Sequence, residues 1–141
     1  MDNVLVPIDG SAAALRALTY ALRELGVRPD AQLHLLNVQA PLRHPWPGKL
    51  VSPRMIDVEQ QTEGSQLLAP AEAMALTAGI ACEAHVAIGA VAEEIVACAA
   101  RHACDAIVMS THGRGAVAGL VLGSVAQKVV HLTHVPVTLV K

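Results

Sequence analysis

Asn3-Val4-Leu5-Val6-Pro7-Ile8-Asp9-Gly10-Ser11 opens the chain and decides its fold. Asn3–Ile8 is a short apolar run closed by turn residues, the pattern of a strand buried on both faces. Pro7 has no amide to donate to a sheet, so it belongs near the end of that strand. Ser11 is a good helix N-cap. Behind it Leu15, Leu18, Leu22 and Leu25 fall on one helical stripe, with Arg16, Arg23 and Glu24 off it, and Gly26 stops the helix.

The same alternation recurs outward from this unit. Gln32–Val38 reads as a second strand. Residues 39–54 hold Pro41, Pro45, Pro47, Pro53 and Gly48, which forbids regular structure and predicts a surface loop around Trp46, with Arg43, Lys49 and Arg54 nearby. A helix is expected from about Met55 to Thr77, ending at Gly79 and kinked or split at Pro70. Ile80–Ile88 is a third strand. Val91, Ile95, Cys98 and His102 then share a helical face, with Glu93 and Glu94 favourably placed in the first turn. Asp105–Met109 is a fourth strand, 110–122 a Gly-rich loop, Ser124–Thr133 a helix and Pro136–Val140 a last strand. Strands alternating with helices imply one α/β domain over 1–141, a doubly wound three-layer sandwich with a five-stranded, mainly parallel sheet.

Composition narrows the function classes. The chain has 141 residues, 53% of them hydrophobic, and no Phe. The core is therefore Val, Leu, Ile and Ala in thin, closely packed layers. A net charge of −2 leaves no electrostatic footprint for sequence-independent nucleic-acid binding. Charged or polar residues interrupt every apolar stretch before the ~20 residues a membrane span needs. No secretory signal pattern precedes Asn3, and Cys82, Cys98 and Cys104 form no CxxC, so buried free thiols in a reducing cytoplasm are expected.

Ligands of open parallel sheets sit beyond the carboxyl ends of the strands, where the winding reverses. Three segments lie there: Pro7–Ser11, Val38 onward, and Ser110–Ser124. The third reads Met109-Ser110-Thr111-His112-Gly113-Arg114-Gly115, then Gly119-Leu120-Val121-Leu122-Gly123-Ser124-Val125. A strand end, a glycine loop and a helix N-terminus together can cradle phosphate on backbone amides. No Walker A motif occurs, and Gly113-x-Gly115-x3-Gly119 is one residue too long for a dinucleotide fingerprint. His112 reads as a hydrogen-bonding loop residue. His131 and His134 have no further ligands converging on them and read as exposed imidazoles.

These residues resemble the universal stress protein A family. Its loop signature, Gly-x2-Gly-x9-Gly-[Ser/Thr], is met by Gly113, the nine residues 114–122, Gly123 and Ser124, with Ser110 in place of the first glycine. Val6-Pro7-Ile8-Asp9-Gly10-Ser11, Leu122-Gly123-Ser124-Val125-Ala126 and Pro136-Val137-Thr138-Leu139-Val140 also resemble it, in the right order along the whole chain. The resemblance implies an adenine nucleotide alpha hydrolase-like, Rossmann-like fold and ATP as a regulatory ligand, hydrolysed slowly or not at all. It implies Asp9 near the ribose, Val38 against the adenine, and Pro7 and Met109 lining the same cleft. Ser110, Gly113, Arg114, Gly123, Ser124 and the adjoining Val125 would surround the phosphates, with a divalent cation, Mg or Mn, held through them. It also implies a cytoplasmic homodimer joined through Val137–Val140, an apolar strand at a sheet edge. The Ser110 departure keeps open a nucleotide-independent dimeric interaction module.

Overall fold

The computed structural model describes residues 1–26, 28–41, 53–113 and 122–141. Nine elements follow in strict alternation: β1 Asn3–Pro7, α1 Ala12–Leu25, β2 Gln32–Gln39, α2 Pro53–Ala78, β3 Ala81–Ile88, α3 Val91–Arg101, β4 Ala106–Ser110, α4 Ser124–Leu132 and β5 Val137–Val140. The sheet order is β3-β2-β1-β4-β5. Every pairing is parallel, from Val4 opposite Leu33 and Ala106 to Ile107 opposite Val137. The doubly wound sandwich read from the sequence is therefore correct, with all five strands parallel.

Each face of the sheet carries one helix layer. Val4, Val6, Leu33, Leu35 and Val108 pack with Leu18, Leu25, Leu68 and Ala71 of α1 and α2. Leu5, Leu36, Ile107 and Met109 pack on the other face with Ile95, Cys98, Ala126 and Val129 of α3 and α4. Small residues at the helix contacts bring both layers close. Gly64 is the extreme case: a Cβ there would stand 2.5 Å from Val86 Cγ1.

Local signals behave as their chemistry requires. Ser11 caps α1, its Oγ accepting the Ala14 N–H at 3.1 Å. Gly10 turns the chain between β1 and α1 at φ +85, a conformation that favours glycine. On α1, Leu18 and Leu25 are buried while Leu15 and Leu22 are only partly so, because Ala14, Ala17 and Ala21 take the innermost positions.

Three expectations need correction. Helix α2 runs without a break through Pro70, which is exposed, so water can take the carbonyl that a missing proline amide frees. Regular structure enters 39–54 at both ends, since Gln39 belongs to β2 and α2 starts at Pro53, a residue suited to a first helical turn. Arg43, Trp46 and Lys49 lie outside the described residues. Cys98 and Cys104 are buried free thiols, and burial pushes Cys104 up to about 11, but Cys82 on the edge strand β3 is exposed. Among the described residues no helix is long and apolar enough to cross a membrane.

Candidate functional site

β1 and β4 are neighbours at the centre of the sheet, and their chains leave it toward opposite helix layers. The carboxyl ends of the strands therefore part there, and a cleft of about 380 Å3 opens. That is within the ~300–1,000 Å3 of small-molecule sites.

The cleft has an apolar floor and a polar rim. Leu36, Ile95, Met109 and Ala126 form buried parts of its wall. Pro7 and Val38, both partly buried, come from the ends of β1 and β2. Asp9 stands where β1 turns into α1, and its Oδ1 accepts the Ser11 N–H at 2.9 Å. Its other oxygen faces the β4 exit: a Cβ on Gly113 would stand 2.7 Å from Asp9 Oδ2. Only a residue without a side chain leaves that carboxylate where it is.

The rim opposite Asp9 is backbone. Gly123 is the N-cap of α4 and supplies no side-chain hydrogen bond to the helix start. Its own N–H goes to Thr111 O at 2.7 Å, which ties the start of α4 to the end of β4. A Cβ on Gly123 would meet Thr111 O at 3.3 Å and His112 Cα at 3.4 Å. Ser124 and Val125 follow at the lip of the cleft. A helix start without a side-chain cap presents amides and the positive end of a dipole, which suit an anion.

Ser110 closes β4 opposite Val140 and lines the cleft. Ala103 is the one non-glycine residue at positive φ among the described residues, so Ser110 holds ordinary backbone angles and needs no glycine. His112 is partly buried, its Nδ1 3.2 Å from Thr111 Oγ1. Lys128 is exposed and pairs with Glu93 across α3 and α4, which holds that carboxyl below its usual range.

The structure thus brings Pro7, Asp9, Val38, Met109, Ser110, Gly113, Gly123, Ser124 and Val125 to one cleft. Arg114 lies outside the described residues. Sequence reading passed over Ile8, Ala14, Val91, Ile95 and Thr111, which also line it. Val91 and Ile95 share a helical face in the sequence, and that face was the available signal.

Fold and cleft together define a doubly wound, all-parallel α/β protein with a ligand-sized opening at its topological switch point. Comparison with known proteins gives the group. The universal stress protein family profile matches residues 1–141, and the chain belongs to that family. A universal stress protein of Thermus aquaticus is 38% identical, covering 99% of this chain and 98% of its own. The solved structure of hypothetical protein MJ0577 superposes with a TM-score of 0.85 at 23% identity, over 99% of this chain and 95% of its own. A universal stress protein solved in complex with cAMP superposes with a TM-score of 0.74 at 25% identity, over 99% and 97% of the two chains.

Proposed function

We propose that the cleft binds an adenine nucleotide, ATP in the first instance, as a regulatory ligand that is hydrolysed slowly or not at all. The observation that carries this reading is the joining of an apolar slot to a helix start without a side-chain cap. The adenine would lie against Val38 and Pro7, the ribose near Asp9, and the phosphates over Ser110, Gly113, Gly123 and Ser124. The similar protein solved with cAMP supports the class of ligand. Those residues would also present the phosphate oxygens to a divalent cation, which would neutralise part of their charge. The described residues at the cleft include no lysine and Asp9 as the one carboxylate, which fits a bound ligand better than fast phosphoryl transfer. The protein would act as a homodimer through β5.

Calorimetry with ATP and magnesium, and then with AMP and cAMP, tests the reading. Saturable binding is expected, tightest for ATP. Gly123→Val should weaken it by about tenfold or more while the circular dichroism spectrum is retained, because the new side chain crowds Thr111 and His112. Absence of saturable binding at millimolar nucleotide would overturn it and leave a nucleotide-independent interaction module.

A further inference from the structure

At the other end of the sheet, three imidazoles gather on one face. Parallel register places His34 of β2 opposite Glu83 of β3, and Leu36 opposite His85. Leu36 and Ala87 pack into the α3 side of the core, so by strand alternation His34, Glu83 and His85 project to that side as well. Helix α3 runs back antiparallel to the strands, and its C-cap residue, His102, arrives above them. The three rings stack, with centroids 4.3 Å (His85–His102), 4.7 Å (His34–His102) and 5.3 Å (His34–His85) apart. His34 Nδ1 is 3.0 Å from His85 Nε2 and 3.7 Å from Glu83 Oε2. One ligand atom from each of the four residues lies within 4.8 Å of all the others.

Packing alone does not account for this set. Elsewhere the same face is filled by Leu, Ile, Val, Ala, Met and Cys. A hydrogen-bonded imidazole pair would be complete with two rings, and here a third ring and a carboxylate converge on it. His34 is 5% exposed, whereas the Glu83 side chain is 65% exposed, so the cluster has a buried root and an open mouth. An open cavity of about 320 Å3 at the amino ends of β2 and β3, lined by Gln32, Leu33, His34, Ala81, Cys82 and Glu83, touches two members of the cluster.

We propose that His34, His85 and His102, with Glu83 as fourth ligand, form a binding site for a divalent transition metal of the zinc class. Three imidazoles and one carboxylate are a donor set that zinc takes in tetrahedral geometry, with bonds of about 2.0–2.2 Å. Donors in such a site stand about 3.3 Å apart, so the outermost pair closes by about 1.5 Å as the stacked rings fan around the ion. Imidazole and carboxylate without thiolate favour zinc over copper(I), and Cys82 does not join the set because it alternates to the opposite side of β3. Burial, and then the neighbouring imidazoles, hold His34 and His85 below the ordinary imidazole range. The ion would fasten the end of α3 to β2 and β3, and its contribution would be to stability, since the cleft proposed for the nucleotide lies beyond the carboxyl ends of β1 and β4.

The test uses the full chain stripped with a chelator, titrated with zinc against a chromophoric competitor and melted with and without the ion. One zinc per chain, a raised Tm and tetrahedral d–d bands on cobalt substitution are expected. The paired substitutions His85→Gln and His102→Gln should abolish uptake. Glu83→Gln, on an exposed side chain outside the core, should weaken uptake by at least ~10-fold. ATP affinity should not change in any of these variants, so the outcome is independent of the nucleotide reading. Failure of the parent chain to take up zinc at micromolar free ion overturns the proposal. Unchanged uptake by the His85/His102 double variant, or by Glu83→Gln, overturns it equally by placing the ion elsewhere.

Discussion

Asp9 does two things with one carboxylate. Oδ1 holds the turn into α1 through the Ser11 N–H, and Oδ2 stands over the missing side chain of Gly113. The two tasks separate by substitution. Asp9→Asn keeps an oxygen for Ser11 and removes the charge. Asp9→Ala removes both. A carboxylate that hydrogen-bonds a ribose hydroxyl contributes about 1.5–3 kcal/mol, more than a neutral amide does. Nucleotide affinity should therefore fall by about tenfold in Asp9→Asn. Asp9→Ala should lose that and also about 1 kcal/mol of stability as the turn loosens, seen as a lower urea midpoint. Equal affinity in the parent and Asp9→Asn would remove Asp9 from the site. Asp9 was legible in the sequence because it sits at a strand end next to a turn glycine. Its distance from Gly113 was not, because the two are brought together by the pairing of β1 with β4.

At the scale of elements, the alternation of short apolar runs with capped amphipathic helices was enough to place all nine, and strand ends moved by a residue or so. The errors came where a residue's usual effect depends on its surroundings. Pro70 does not split α2, which continues through it at an exposed position. The histidine cluster was invisible for a related reason. Sequence gives the side each residue takes within a strand, but not that β2 lies beside β3 in a register that sets His34 across from Glu83. Gly64, inside the long helix α2, is another residue whose effect its surroundings decide. A Cβ there would stand 2.5 Å from Val86 Cγ1 of β3 and 3.1 Å from Asn37 Oδ1 of β2. In a free helix Gly→Ala would stabilise by about 0.8–1.0 kcal/mol. Here overpacking outweighs propensity, and Gly64→Ala should destabilise by about 1–3 kcal/mol in urea melts. Val86→Ala introduced into the Gly64→Ala chain opens the space and should recover part of that loss. A Gly64→Ala chain as stable as the parent would mean that α2 simply lifts away.

For the whole molecule the remaining question is the free edge at β5. The sheet order leaves β3 and β5 outermost. They differ in chemistry: β3 carries Glu83, His85 and Cys82, whereas β5 is Val137-Thr138-Leu139-Val140, every residue partly buried in the single chain. Val140 O accepts the Thr111 N–H and Pro136 O accepts the Ile107 N–H, so the even-numbered residues of β5 turn their backbone toward β4. The amides and carbonyls of Val137 and Leu139 consequently point outward, a short apolar edge with nothing charged along it before Lys141. A second copy pairing antiparallel there would satisfy both edges at once and make one sheet of ten strands, an isologous contact that closes on itself. Thr138 sits near the middle of this strand, so in such a pair it would meet its own symmetry mate. Thr138→Asp then sets like charges opposite each other, which destabilises a cross-strand pair. Light scattering behind size exclusion should give a dimer for the parent chain and a monomer for Thr138→Asp, with an unchanged circular dichroism spectrum. If ATP affinity survives in that monomer, the cleft is complete within one chain, as its lining from β1, β2, β4, α3 and α4 of a single copy requires. A parent chain that runs as a monomer, or a Thr138→Asp chain that still runs as a dimer, would move the interface away from β5.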